Sequence, residues 1–440
     1  MDRLLLSRWF SPVFIIAAAL FTIAIYSNSF TAAFQFDDLP IIVENTQLRD
    51  IGNLPQILAS QRGLTMATFA LNYAIGGINT TGYHAVNLAI HIINTALAYL
   101  LLIYTLRLVG SGEATARRLS ALIALLFAVH PVQTQAVTYI VQRMESLTSL
   151  FYLLALLFLV WASKSTAKTK RIALYAGVAL SYLLAFYSKE IAYTLPAVVL
   201  LYDYCFIAKG KISGITRKWP MYAMLAVLFA AFTVTTIMPL GGFSDLSDES
   251  ADTKYAAPKV KADLGTKELD YSAGFKVSAV TPKEYLYTQF NVMVYYIGLL
   301  AFPANQNLDY DFPWARELMV APQVAEGTVL NMPIPPPFVS LLILLAIAGA
   351  GAYMIISTRK APESRKRVAG FFIFWYFIIL SPTSSIVPII DAIYEHRVYL
   401  PSLGFFAIFV LLVDSVTARL FKAKKMAGLE ENQPSRGISN

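Results

Sequence analysis

The 440-residue chain contains one cysteine, four histidines and little charge. A single cysteine, Cys205, excludes an internal disulfide. With no CxxC and no His/Cys cluster, a structural zinc site is excluded as well. Charged residues make up only 14% of the chain, where a soluble domain carries about 25%. No self-similarity at a period of about 20–50 residues is visible, so a solenoid or repeat array is excluded. What fills the chain instead is apolar: 57% of residues are hydrophobic. They collect in runs near or above the ~18 residues that can cross a bilayer as a helix.

These runs predict spans at 10–28, 84–106, 118–131, 145–162, 172–187, 191–207, 219–239, 337–357, 368–381 and 399–418. The third and ninth end at "HP" and "SP", where proline breaks the helix and lets the chain continue at an angle. Residues 10–27 have the outline of a signal peptide, with "TAA" as a cleavage site, but the spans that follow favour an uncleaved anchor. A further run, 286–303, reads as a re-entrant or interfacial helix, with a missed partner span as the alternative. The expected fold is an all-α polytopic membrane protein with about 10–11 transmembrane helices.

The formal charge of +8 would be compatible with nucleic-acid binding if the basic residues formed one footprint. They do not. "KSTAKTKR" (164–171), "KGKISGITRK" (209–218) and "RKAPESRKR" (359–367) alternate with the spans. Placing them in the cytoplasm together with both termini assigns roughly two thirds of all Lys and Arg to that side. Most acids then fall on the opposite side. The basic excess is an orientation signal, and no nucleic-acid partner is expected. The expected organisation is one membrane domain over 1–440. It has a first outer loop at 29–83, a large outer loop at 240–336 containing 286–303, and a short cytoplasmic tail at 419–440.

The titratable residues gather on the outer side. Asp37 and Asp38 follow the first span in "FQFDDLP". His130, Arg143 and Glu145 lie in "VHPVQTQAVTYIVQRMES", and Lys189 and Glu190 in the turn "SKE". Asp309 and Asp311 lie in "NLDYDFP", and Glu395, His396 and Arg397 in "YEHRVYLPS". Charge near a bilayer is costly and marks function or pairing. Adjacent acids on an extended strand point opposite ways, so Asp37 and Asp38 are not a symmetric dyad. One can face a reaction centre while the other orients a partner or caps a helix. A carboxylate against apolar surface can serve as a general base, and Arg143, Lys189 and Arg397 are cations that can hold a phosphate. The combination suits transfer of a group from a lipid phosphate.

Each element has a plainer reading. Asp37 and Asp38 can be a solvated turn before Pro40, His130 a helix cap, "SKE" an exposed turn and "EHR" an interfacial ion pair. "LDYDFP" lacks the twelve-residue spacing of a calcium loop. His84 and His91 share one helix face and read as polar packing rather than metal ligands. Asp37, Asp38, Asp309 and Asp311 offer hard oxygens for magnesium or manganese, but metal-independent chemistry is preferred and no cofactor is expected.

Taken together, "FDDLPIIVEN", "LTMATFALNYAIGGINTTGYHAVN", the "HP…R-x-E" stretch, "SKE" and "YEHRVYLPSLGF" resemble one family over roughly 30–410. It is the membrane region of the transmembrane and tetratricopeptide-repeat O-mannosyltransferases and their prokaryotic relatives. The resemblance implies a GT-C helical bundle and an inverting glycosyltransferase using a polyprenyl-phosphate sugar. Mannose is the implied sugar, and a protein Ser/Thr or a glycolipid the acceptor. It implies catalytic roles for Asp37, as base, and Asp38, in support, with Lys189 and Arg397 on the donor phosphate. His130, Arg143, Glu145, Glu190 and His396 would be donor-binding or supporting groups. No helical hairpin of about 34 residues follows Ala418, so the expected relative lacks the repeats. The expected location is a prokaryotic plasma membrane, the site facing the periplasm or exterior. A transporter or flippase of lipid-linked saccharide, and a non-catalytic envelope assembly partner, remain as alternatives.

Overall fold

The computed structural model describes residues 2–237 and 280–431. Residues 238–279, in the segment expected as the large outer loop, and the tail from residue 432 lie outside the described residues. Among the described residues the chain is helical, with no extended strand.

The principal helices are α1 (Phe10–Tyr26), α2 (Gly63–Gly76), α3 (Thr80–Leu108), α4 (Glu113–Val129), α5 (Thr134–Thr138) and α6 (Arg143–Lys164). They continue as α7 (Lys168–Phe186), α8 (Leu195–Tyr202), α9 (Trp219–Ile237), α10 (Pro282–Ala301), α11 (Pro337–Ser357), α12 (Arg365–Leu380) and α13 (Ser402–Glu431). Six helical stretches among the described residues are long and apolar enough to cross a membrane, and a seventh is the bent pair α4 and α5 with the turn between them. The other runs read as spans fall on α7, α9 and α12, which are helical but shorter or more charged at their ends.

Local chemistry sets the ends. The Asn79 side chain accepts the Thr81 N–H at 3.0 Å and starts α3, a cap worth about 1 kcal/mol. α3 runs for 29 residues, about 44 Å, and stops before Gly110, whose φ is 76°. α4 ends at His130 because Pro131 follows it, and the chain turns by 53° into the next helical segment. α10 begins with a capping box in which Thr281 and Glu284 satisfy each other's backbone N–H.

The bundle has a well-packed centre and a lipid-facing rim. α3 packs against α4 and α6, and α6 against α7. The apolar windows of α3 and α6 are 61% and 67% buried, against 17% for the α1 span and 22% for α11. Basic segments 107–118, 164–171, 209–218 and 359–367 share one end of the bundle, the basic end. The other end, the acidic end, is built from 32–66, 130–145, 187–194, 303–336 and 381–402. α10 bonds to this acidic end along its length. Tyr285 donates to the Thr383 carbonyl, Gln289 to the Ala392 carbonyl and Tyr296 to the Tyr394 carbonyl.

Candidate functional site

The site begins with the turn at residues 35–39. Phe36 has a φ of 41°, a left-handed backbone that bulky residues rarely adopt. Across this turn the two neighbouring acids part company. Asp38 is 1% exposed. Its Oδ2 accepts the Gln35 N–H at 3.0 Å and its Oδ1 the Val141 N–H at 2.7 Å. The Tyr139 hydroxyl accepts the Asp37 N–H at 2.9 Å. Burial pushes the Asp38 carboxyl up to about 6, against the pull of the two backbone N–H groups. Asp37 is exposed, and its carboxylate has no hydrogen-bond or ion-pair partner among the described residues. The asymmetry expected of adjacent acids is present: one is built in, the other is presented.

The "SKE" turn faces this loop. Lys189 Nζ lies 2.8 Å from Glu145 Oε2 and donates to Gln142 Oε1 at 3.2 Å. Burial pulls the Lys189 ammonium down, with the Glu145 charge opposing. The second Glu145 oxygen, Oε1, is buried without a partner. Glu190 is gripped by Arg62, Nε to Oε1 at 2.8 Å and Nη2 to Oε2 at 2.9 Å. The Leu64 N–H donates to the Tyr187 carbonyl at 3.0 Å, and Thr65 Oγ1 to the Ser188 carbonyl at 3.1 Å. These bonds lock the 32–66 loop onto the turn.

The "EHR" segment, Glu395–Val398, closes the site. Glu395 accepts from Gln306 Nε2 at 2.5 Å, from the Asn307 N–H at 3.1 Å and from the Tyr310 hydroxyl. Burial raises its carboxyl, and its partners make it a clamp for the 303–312 segment. Gln135 Nε2 donates to the Leu308 carbonyl at 2.9 Å, which fixes the orientation of its amide. Its oxygen then accepts both the His396 backbone N–H at 2.7 Å and the ring Nδ1 at 2.9 Å. An amide oxygen only accepts, so Nδ1 carries the proton and Nε2 keeps its lone pair. Burial holds the imidazole far below its ordinary value, and the cations Lys189, Arg397 and Arg62 add to that. His396 is therefore neutral, its ring stacked on Tyr394 at 5.1 Å.

Arg397 is 5% exposed. It donates to the Ala392 carbonyl at 3.0 Å and the Asp391 carbonyl at 2.9 Å. No carboxylate lies within ion-pair distance of it among the described residues. The Asp391 carboxylate acts on it from beyond ion-pair distance, so an arriving phosphate would be the first anion to bond it directly.

Arg143 and His130 have other occupations. The Arg143 guanidinium donates to Asn87 at 2.6 Å, Asn72 at 2.7 Å, Thr68 at 3.1 Å and the Tyr83 carbonyl at 3.0 Å. It also lies 4.5 Å from the Phe69 ring centre. It ties α2, α3 and α6 together behind the site. His130 Nδ1 accepts the Val132 N–H at 3.3 Å and caps the bend after α4. His91 bridges the Tyr399 hydroxyl at 2.8 Å and the Ala128 carbonyl at 3.0 Å, as packing does.

Asp309 and Asp311 line a cavity of about 90 Å³ with Asp391, Tyr310, Phe312 and Trp314. Burial raises the Asp391 carboxyl, with Arg397 opposing and the Asp309 and Asp37 charges adding. Among the described residues no three His, Cys, Asp or Glu converge as metal ligands would. Four members of the site escape sequence reasoning: Arg62, Gln135, Tyr139 and Asp391. Asp391 carried a weak signal, an acid four residues before Glu395 in an apolar stretch. The others become visible only through their partners.

The chain is similar to protein O-mannosyl-transferases of animals. It is 34% identical over 162 residues to Protein O-mannosyl-transferase TMTC4 of Mus musculus, covering 32% of this chain and 22% of the relative. Against TMTC4 of Homo sapiens it is 30% identical over 223 residues, covering 44% and 30%. Against TMTC3 of Mus musculus it is 34% identical over 149 residues, covering 30% and 15%. The chain thus spans less than a third of the length of these relatives. The similarity is distant and is to part of proteins named as O-mannosyl-transferases. No family model matches, and no solved structure matches.

Proposed function

We propose that the acidic end is the active site of an inverting GT-C glycosyltransferase that moves a sugar from a polyprenyl-phosphate donor to an acceptor hydroxyl. The observation that carries this reading is an exposed carboxylate with no bonded partner among the described residues, Asp37, at the same end as the buried Arg397 cation, which has no carboxylate within ion-pair distance among those residues. A base and an anion site at a bilayer edge are the two things the chemistry requires. Asp37 takes the proton of the acceptor hydroxyl, whose oxygen attacks the anomeric carbon from the face opposite the phosphate. The carbon–oxygen bond to phosphate breaks, its electron pair goes to the phosphate, and the configuration inverts. Cations there stabilise the charge that develops.

Asp38 serves by holding the turn. Arg397 is the first donor-phosphate ligand, and Lys189 the second, once the Glu145 partnership yields. His396, neutral and with Nε2 free to accept, is placed for a hydrogen bond to a sugar or acceptor hydroxyl. Arg143 and His130 act from behind by positioning. Mannose is the proposed sugar, because the relatives are named protein O-mannosyl-transferases. The proposed acceptor is a protein Ser/Thr or a glycolipid hydroxyl. The proposed site faces the non-cytoplasmic side, because the positive-inside rule favours the basic end in the cytoplasm, and the proposed location is a plasma membrane. α10 then lies across the outer end as an interfacial helix, in keeping with its bonding partners.

The test is transfer of radiolabelled mannose from polyprenyl-phosphate mannose by purified protein in lipid, with cell-envelope extract as acceptor source. Wild type is expected to label a protein or glycolipid, and Asp37→Asn to lose about 10³-fold in rate while melting like wild type. Transfer at the wild-type rate in Asp37→Asn would overturn the assignment of the base. No transfer or donor hydrolysis with any polyprenyl-phosphate sugar would overturn the function.

A further inference from the structure

Arg62 is held in an unusual way. Its φ is 58°, left-handed without being glycine. Gly63 follows, and a Cβ there would sit 2.5 Å from the Ile57 and Leu58 carbonyl oxygens. The chain therefore makes a turn that admits no side chain at 63 and sets Arg62 at a strained backbone angle. Such strain persists where surrounding contacts demand it. At this turn the Nε/Nη2 edge of the guanidinium grips Glu190. The remaining nitrogen, Nη1, meets only Met144 Sδ, at 3.4 Å, and a thioether is a weak acceptor. The Arg62 and Glu190 side chains are 36% and 29% exposed, so a ligand can reach them. The Asp37 and Glu145 charges act on Arg62, and Arg62 acts with Lys189 and Arg397 on the His396 ring.

The proposed reaction displaces charge through this neighbourhood. A polyprenyl-phosphate sugar is a phosphodiester with one negative charge. When the bond to the anomeric carbon breaks, the electron pair stays on the phosphate oxygen and the phosphate becomes a dianionic monoester. The acceptor proton neutralises Asp37 in the same step. One negative charge has in effect moved from Asp37 to the phosphate. The cation that answers this must lie within reach of both places and have donor capacity to spare.

We propose that Arg62 is that cation: a leaving-group ligand whose free edge receives the polyprenyl phosphate as its second charge develops. Glu190 is then the counter-anion that restrains Arg62 rather than a group that touches the phosphate. The proposal rests on the donor reading above and specifies which charge state of the phosphate Arg62 recognises.

The experiment is direct binding to the full chain in lipid nanodiscs at pH 8. It needs no turnover. The two probes are undecaprenyl phosphate, a monoester, and undecaprenyl methyl phosphate, a diester that cannot react. Arg62→Gln is expected to weaken the monoester by about tenfold or more, as loss of a charge-assisted contact does, and the diester by less than about threefold. Glu190→Gln is expected to tighten the monoester, because it frees the guanidinium. Arg62→Lys is expected to recover part of the monoester affinity, and it keeps the test open if Arg62→Gln does not fold. Equal weakening of both probes by Arg62→Gln and Glu190→Gln would overturn the proposal and make the pair a loop anchor. Normal monoester binding by Arg62→Gln would overturn it as well. Failure of wild type to bind either probe would instead remove the donor reading itself, a separable result.

Discussion

The two ends of the bundle treat charge differently. At the basic end the buried ions are satisfied within the fold. Lys218 Nζ lies 2.5 and 2.8 Å from the two Asp203 oxygens, and the Tyr222 hydroxyl donates to the same carboxylate. Arg118 and Arg365 share Asp414, and Arg107 and Arg117 share Glu113. The fully buried Arg367 has no carboxylate either, but its Nε, Nη1 and Nη2 all donate, to Thr358 and the Cys205 carbonyl. At the acidic end, among the described residues, Arg397 has no carboxylate within ion-pair distance, the Asp37 carboxylate has no bonded partner, Glu145 Oε1 is an orphan and Arg62 has an idle edge. A matched network stabilises a fold. An unmatched one leaves free energy available to a ligand, because burying charge without a partner is expensive.

This contrast breaks down or sharpens under substitution. The largest expected effect is Lys218→Met, which strands the buried Asp203. It should destabilise the protein by about 3–5 kcal/mol, read as a lowered melting temperature in detergent, with transfer unchanged in the molecules still folded. Arg397→Gln should do the opposite, leaving melting near wild type and slowing transfer by about 10²-fold. If Arg397→Gln unfolds the protein and Lys218→Met does not, the contrast is false.

A smaller effect concerns pH. The folded-state pKa of Asp38 lies above its unfolded value, at about 6. Between pH 4 and 6, taken as about the interval from unfolded to folded pKa, the native state binds the extra proton. The contribution of Asp38 to stability therefore falls as pH rises through this window and is constant above it. Asp38→Asn should remove that slope from a series of melts. Its activity should also drop, since an amide cannot accept both N–H groups of the turn. The smallest effect is Arg365→Ala, which breaks a half-exposed bridge that shares its acid with Arg118. It should cost under about 1 kcal/mol and leave transfer unaltered.

Much of this site was legible in the sequence because polar residues are conspicuous in so apolar a chain. Asp37, Asp38, Lys189, Glu190, His396 and Arg397 could be picked out, and the structure brings them to one end. What the sequence could not supply was the division of labour. Arg143 looks like any other cation until Asn72, Asn87 and Thr68 are found around it. Arg62 sits in an ordinary polar loop, and its meaning depends on an acid 128 residues away. Span counting was weakened for the same kind of reason. α7 carries Lys168, Lys170 and Arg171 in its first turn, and α10 mixes Tyr, Gln and Asn with its apolar residues. Hydropathy alone does not separate such helices from interfacial ones.

The clamp on Asp38 has a mechanical consequence. The turn bearing Asp37 is fastened to Tyr139 and Val141, at the head of α6, one of the best-buried helices. It follows α1 in the chain, but the α1 span is only 17% buried against the rest of the protein. The address of the proposed catalytic turn is thus written on α6, and α1 is a tether. A thicker or thinner bilayer can tilt the tether while the turn stays in register.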